Sequence, residues 1–359
     1  MHVITGLDTG GAETQLALLA QARRAAGAED MVVSLIPGGA VRERLEDAGV
    51  AVRDLGMRRG RPSLSGVLRL RSLIRHANPR IVQSWMYHAN LLAAFGLRIS
   101  GRRRATQLIW GIRCSDMKLA DYGRGLRRTV RMCARYSHVP DLVVANSEAG
   151  LKVHRDLGYR PRRSQTIDNG IDTARYRPDV ASRAEVRAEL GIGADVPLVA
   201  HVARVDPMKD HETLLSAMRE LPDVELLLIG LGTESLASRP GWHGLGRRAD
   251  MPRLLSACDL IVSSSAYGEG FSNALAEGMA SGLPAIATDV GDAARIVGKT
   301  GRIVPPRDAK ALANAIQELA CEPPDRHVER QARARAAIED RFSVAANVAA
   351  FEKAYASLA

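Results

Sequence analysis

The chain has 359 residues, of which 46% are hydrophobic, 25% charged and 4% aromatic. That length predicts two domains, each able to bury its own core, and the apolar fraction excludes a disordered chain. The formal charge is +10, but residues 1–170 hold 28 Lys/Arg against 14 Asp/Glu, whereas the remainder is net −4. Cys114, Cys133, Cys258 and Cys321 have no short paired spacing, so neither a zinc site nor a disulfide framework is expected. No apolar run approaches the roughly 18 residues of a membrane span. The first residues, Met1 to Gly6, lack a signal-peptide pattern, and the expectation is a reduced, cytoplasmic protein.

In chain order, the loop Gly6-Leu7-Asp8-Thr9-Gly10-Gly11-Ala12-Glu13 follows a first strand and opens a helix at 12–26. Strand 31–36, helix 62–76 and strand 80–84 come next, the last running into Trp85-Met86-Tyr87-His88-Ala89-Asn90. Residues 61–135 carry sixteen basic residues and two acidic ones, Asp116 and Asp121. Within them Arg124, Arg127, Arg128, Arg131 and Arg135 recur at helical spacing beside Leu126, Val130 and Met132. That spacing suits docking of the 98–135 strip on an anionic membrane surface, or binding of an anionic acceptor. Strand 141–145 then leads to the turn Asp168-Asn169-Gly170. Past it the alternation resumes, with strands at 197–202, 224–229, 259–263 and 284–288 and helices at 181–190, 211–220, 273–281 and 308–320. A last helix covers 344–358.

Strands alternating with helices in both halves predict βαβ units and parallel sheets. The fold class is therefore α/β, two doubly wound Rossmann-like domains facing across a cleft. The first domain is 1–172, with 344–359 packing back on it, and the second is 173–343. Ligands of such folds bind beyond the carboxyl ends of the strands, so the residues after each strand are the site candidates.

Two segments there carry chemistry. After strand 259–263 comes Tyr267-Gly268-Glu269-Gly270-Phe271-Ser272-Asn273, and seven residues separate Glu269 from Glu277. A glycine-rich turn into a helix aims backbone N–H groups at an anion. After strand 197–202, Arg204 and Lys209 stand on one loop, a planar fork and a point charge that both suit a diphosphate.

The Glu269–Glu277 segment strongly resembles the signature of retaining family 4 glycosyltransferases of the GT-B fold. The resemblance implies that Glu269 contacts the donor sugar, Glu277 holds the nucleotide ribose, and the amides of Gly270, Phe271, Ser272 and Asn273 receive the diphosphate. Ser272 is a departure, because many members have Gly or Pro there. Arg204 and Lys209 resemble the family's pair of cations for the departing diphosphate, and Gly10-Gly11 its N-terminal glycine pair. Gly230 and Arg247 fall where the family contacts the donor, although the stretch from Gly232 to Gly246 is short. Gln83 and Trp85 occupy the places of a common His-x-His, and His88 follows. Acceptor contacts are expected at Trp85, Tyr87, Asn90 and Arg113, with His88 among the catalytic groups.

What this implies is retaining transfer of a hexose or N-acetylhexosamine from a nucleotide-diphosphate sugar, with UDP as the expected nucleotide. The acceptor would be a lipid-linked or cell-surface glycan intermediate, or alternatively a small aglycone or aminocyclitol. No Asp-x-Asp occurs, so no metal and no cofactor beyond the co-substrate are expected. A non-hydrolysing sugar-nucleotide epimerase would share the fold and donor. A nucleic-acid partner is not expected, because such surfaces interleave aromatics with the basic residues.

Overall fold

A computed structural model describes residues 1–58, 60, 63–115 and 123–358. Arg59, Arg61, Pro62 and Ala359 lie outside the described residues, as does 116–122, which includes Asp116 and Asp121. The chain divides into two compact units, Met1–Gly170 with the segment from Val344 onward, and Ile171–Ser343.

The first unit holds strands β1 (His2–Ile4), β2 (Met31–Ser34), β3 (Ala51–Asp54), β4 (Ile81–Trp85), β5 (Gln107–Ile112), β6 (Leu142–Ala145) and β7 (Ser164–Thr166). Its helices are α1 (Gly11–Ala25), α2 (Ala40–Asp47), α3 (Leu64–Ala77), α4 (Tyr87–Ser100), α5 (Arg124–Arg135) and α6 (Glu148–Asp156). The second unit holds β8 (Leu198–Val202), β9 (Glu225–Ile229), β10 (Trp242–Gly244), β11 (Leu260–Ser263), β12 (Ala285–Thr288) and β13 (Arg302–Val304). Around them lie α7 (Val180–Leu190), α8 (His211–Arg219), α9 (Met251–Ser256), α10 (Asn273–Ala280), α11 (Ala293–Val297), α12 (Ala309–Ala320) and α13 (Pro324–Phe342). The chain then returns to the first unit as α14 (Val344–Ala356).

Both sheets are parallel throughout, in the orders β3-β2-β1-β4-β5-β6-β7 and β10-β9-β8-β11-β12-β13. Each order reverses direction once, between β1 and β4 and between β8 and β11. At such a reversal the flanking loops diverge to opposite faces and leave a crevice at the strands' carboxyl ends. The inner strands are apolar without alternation because helices cover both faces: every residue of β6 and β12 is buried. Helix starts are set by side-chain caps, Ser63 accepting from the Gly66 amide (3.1 Å), Asp179 from Ser182 (3.1 Å) and Asp308 from Ala311 (2.8 Å).

On one face of the first sheet, Phe351 and Tyr355 of α14 and Leu358 just beyond it share a core cluster with Trp85, Ile109 and Val144. Phe351 and Trp85 are both fully buried, with ring centroids 6.2 Å apart. Removing a buried aromatic ring costs about 3–5 kcal/mol through lost transfer energy and the cavity left behind. Phe351→Ala is expected to destabilise the first unit by about that amount, read by tryptophan fluorescence during urea unfolding. An unchanged midpoint would mean that α14 contributes nothing to this core.

Candidate active site

In the second unit, the loops after β8 and β11 meet at the sheet's reversal point. The Lys209 ammonium is ion-paired with the Glu269 carboxylate, and both side chains are largely buried. Glu269 is therefore drawn inward by a cation and is not an exposed loop tip. Ser265 Oγ donates to the same Glu269 oxygen at 2.8 Å. The loops are also tied through their main chains, Ala266 N donating to Met208 O at 2.8 Å.

Beneath this pair lies a polar support with no counterpart among the sequence expectations. Ser264 Oγ donates to the Lys209 carbonyl at 2.8 Å, and His201 Nε2 reaches the same hydroxyl at 3.2 Å. Since the hydroxyl donates to the carbonyl, Nε2 carries the imidazole proton. Burial, with Lys209 and the edge-on ring of His211 nearby (4.7 Å), holds His201 well below its ordinary pKa and neutral. No periodic signal in the sequence marks Ser264 or His201.

Arg204 stands on the same loop but turns onto Asp206, 2.7 Å from Nη2, with its side chain 60% exposed. Asp206 also accepts from the Met208 amide at 2.9 Å, which fixes the short turn that presents Lys209. The structure thus brings Lys209 to Glu269 and leaves Arg204 at the surface.

The turn from Glu269 into α10 divides its roles between backbone and side chains. Phe271 is buried and packs edge-on against Phe342 at 5.2 Å, so a ligand meets its backbone and not its ring. The Ser272 hydroxyl caps α10 by accepting from Leu275 N. Gly270 O accepts from Asp292 N at 3.3 Å. Gly291, at φ 63°, passes so close that a Cβ would lie 2.1 Å from the Glu269 carbonyl oxygen. Any other residue there would push the β12–α11 loop off Glu269. Gly230 has a comparable duty at φ 149°, where a Cβ would come within 2.1 Å of Ala203 O. It seats the loop after β9 on the loop carrying Arg204, while Arg247 is exposed beyond β10.

Glu277 sits on the second turn of α10, hydrogen-bonded to Tyr176. Burial pushes its carboxyl up to about 7, against a partial downward pull from Tyr176 and Arg175. A carboxyl this raised is costly to ionise unless a ligand supplies donors, as the hydroxyls of a ribose would.

In the first unit, Gly10 and Gly11 open α1 after β1, with Gly10 extended and no side chain capping the helix. After β4 the chain turns through Met86 at φ 72° into α4. Three of the expected acceptor contacts need correction here. Trp85 is fully buried, its Nε1 donating to His2 Nδ1 at 3.3 Å. The Tyr87 hydroxyl lies 2.9 Å from His154 Nε2, and Asn90 is fully buried between Ser84 Oγ and Gly111 O. These side chains hold the core and cannot reach a substrate. Gln83 is likewise internal and accepts from the Tyr355 hydroxyl.

His88 is exposed, with Nε2 3.4 Å from Thr129 Oγ1 and its pKa lowered by burial of the ring. The Arg113 guanidinium lies over the Trp85 ring at 4.5 Å and donates from Nη1 to Asn169 at 2.7 Å. Its Nε and Nη2 have no hydrogen-bond partner among the described residues, and burial lowers its pKa to about 10. The apolar residues of α5 also differ from expectation. Val130 is buried and Leu126 half-buried, so of the three only Met132 shares the outer face with the arginines.

Among the described residues no group of three or more His, Cys, Asp or Glu is placed to hold a metal ion, and no helix is long and apolar enough to cross a membrane.

Residues 9–175 match the family described as "Glycosyltransferase Family 4", and residues 196–322 the one described as "Glycosyl transferases group 1". The D-inositol 3-phosphate glycosyltransferase of Rhodococcus jostii is 32% identical over 208 residues, 51% of this chain and 45% of that protein. Its Nocardia farcinica namesake is 30% identical over 204 residues, 50% and 45% of the two chains. The matched region thus spans less than half the length of these curated relatives. Anabaena HepE, solved with UDP, superposes with a TM-score of 0.82 at 24% identity over 99% of both chains. A Rickettsia africae glycosyltransferase gives 0.82 at 18% identity, over 99% of this chain and 96% of that one. The fold is that of GT-B glycosyltransferases, and each half of the chain matches a family of glycosyltransferase domains.

The raised Glu277 carboxyl has a measurable consequence. As pH rises from 4.5 to about 7, the unfolded chain releases this proton while the folded chain retains it, so stability falls. The loss amounts to about 3 kcal/mol at complete ionisation. Glu277→Gln removes it, so the variant is expected to exceed the wild type in thermal stability at pH 8 and to converge with it toward pH 4.5. A stability difference that does not vary with pH would contradict the assignment.

Proposed function

We propose that the protein is a retaining glycosyltransferase that moves a hexose or N-acetylhexosamine from a UDP-sugar to an acceptor hydroxyl, with charge neutralisation by side chains and not by a metal. The observation that carries this reading is the Lys209–Glu269 pair at the reversal point of the second sheet, with Glu277 on the helix that follows. The glycosyltransferase domains and the likeness to a fold solved with UDP support it.

Each group then has one task. Glu277 accepts from ribose hydroxyls, and the Gly270–Asn273 amides at the start of α10 face the diphosphate. Lys209 exchanges its bond to Glu269 for one to the diphosphate, and Arg204 swings from Asp206 to do the same. The freed Glu269 carboxylate accepts from sugar hydroxyls. As the C1–O bond breaks, its electron pair goes to the diphosphate oxygen, and the two cations stabilise the charge that develops there. The acceptor oxygen bonds to C1 on the face the diphosphate leaves, and its proton passes to the departing diphosphate. Glu269 orients the sugar and forms no covalent bond to it.

On the first unit, His88 remains the acceptor-side candidate through its exposure, while the Arg113 nitrogens that lack a partner among the described residues are buried. The acceptor is a lipid-linked or cell-surface glycan intermediate, and the arginines of α5 provide an electrostatic contact for an anionic surface. With Val130 turned inward, that contact lacks the inserted apolar face of a membrane-embedded helix.

The test pairs a panel of nucleotide sugars with product analysis. Lys209→Ala and Glu269→Ala are each expected to lower transfer by about a hundredfold or more, with circular dichroism unchanged. Transfer near the wild-type rate in either variant would refute the assignment.

A further inference from the structure

The turn that carries Glu269 into α10 is braced from two sides. On one side lies the β12–α11 loop, where Gly291 sits against the Glu269 carbonyl and the Asp292 amide donates to the Gly270 carbonyl at 3.3 Å. On the other side stands Phe342, the last residue of α13, buried and edge-on to Phe271 at 5.2 Å.

These contacts set a direction. The peptide bonds are trans, so each C=O points opposite to the N–H of the same peptide plane. With the Glu269 and Gly270 carbonyls turned to the β12–α11 loop, the amides of Gly270 and Phe271 are turned away from it. Neither amide donates to a protein group among the described residues. Two successive amides turned the same way form an anion-binding concavity.

Arg295 of α11 ties the two braces together. Its Nη2 donates to the Asp292 carboxylate at 2.8 Å, and that side chain is only 3% exposed. Its guanidinium also stands over the Phe342 ring, 5.8 Å from the centroid, within reach of a cation–π attraction. Arg341 secures the same corner, covering the Phe342 ring at 4.6 Å and donating to the Arg295 carbonyl at 2.9 Å. A buried carboxylate that loses a cation is driven toward water, and Asp292 would take the β12–α11 loop with it.

Resting on the glycosyltransferase reading above, we propose that Arg295 is a positioning residue for the donor diphosphate. Through Asp292 and Phe342 it fixes the peptide planes whose amides the diphosphate meets. It acts through those two residues and not by contact with the donor. Uridine, which has no phosphate, makes no use of these amides, so the brace serves UDP and not the nucleoside.

The affinity of the full chain for UDP by isothermal titration, and for uridine by displacement of UDP, tests this. Arg295→Met keeps the length and removes the charge. It is expected to bind UDP about tenfold or more weakly than wild type, and uridine within about twofold of it. Arg295→Lys returns a cation to Asp292 and should recover UDP affinity to within about threefold of wild type. Asp292→Asn should reproduce the selective loss of UDP. Combining it with Arg295→Met should add no further loss, because the two residues form one brace. Equal losses for UDP and uridine overturn the inference, since Arg295 would then support the unit as a whole. Unchanged UDP affinity in Arg295→Met also overturns it, leaving a surface ion pair of little consequence. If Arg295→Met does not fold, Asp292→Asn decides between the same outcomes. A wild type that binds neither ligand refutes the donor reading itself, and the inference falls with it.

Discussion

A largely buried ion pair between Lys209 and Glu269 is the interaction around which the loops at the reversal point of the second sheet are arranged. Burying two charges incurs a large desolvation cost, so a pair of this kind is weak evidence for stability and stronger evidence for use. Its geometry is not left to the two side chains. The β8 loop is held by Ser264 on the Lys209 carbonyl and by the Asp206 cap, and the β11 loop by Ser265 on Glu269. From the other side, Gly291 permits the β12–α11 loop to press on the Glu269 carbonyl. In the proposed mechanism each charge is passed to a ligand that offers its opposite, while this support stays in place.

The sheet order explains why these residues meet. β8 and β11 are neighbours although two βα units separate them in sequence, and their loops leave the sheet toward opposite faces. The same arrangement at β1 and β4 places the Gly10-Gly11 turn and His88 at the corresponding point of the first unit. Net charge follows a different logic. The second unit lies in the half of the chain that is net negative, so under the proposed function its anion binding depends on Lys209, on Arg204 once it leaves Asp206, and on backbone amides, not on bulk charge. The positive excess sits in the other half, where α5 concentrates five arginines on one helix.

Much of this was legible in the sequence. The inner strands β2, β6, β9, β11 and β12 are largely apolar runs, β4 and β8 are apolar apart from Gln83, Ser84 and His201, and each lies within a residue or two of its expected position. Among those not anticipated, β7 and β10 are three-residue edge strands, and β3 buries one residue fully, so neither length nor alternation marks them. The Glu269–Glu277 spacing identified the residues around the reversal point, but spacing does not give side-chain direction. Trp85, Tyr87 and Asn90 fall at the right place in the chain and point into the core, where His2, His154 and Ser84 satisfy them. Ser264 and His201 escaped notice for a related reason. A support made of single polar residues under a loop leaves no periodic trace, and only their burial and mutual distance reveal it.

In the proposed mechanism, Glu269 and the nucleotide diphosphate compete for Lys209, while the sugar is what Glu269 binds. The most direct measurement is the affinity of Glu269→Gln for UDP and for UDP-glucose, by isothermal titration beside the wild type. Freeing Lys209 from its carboxylate should leave UDP binding as tight as in the wild type or tighter, while UDP-glucose binding weakens. Equal losses for both ligands would contradict the claim, because Glu269 would then be holding the loop and not the sugar.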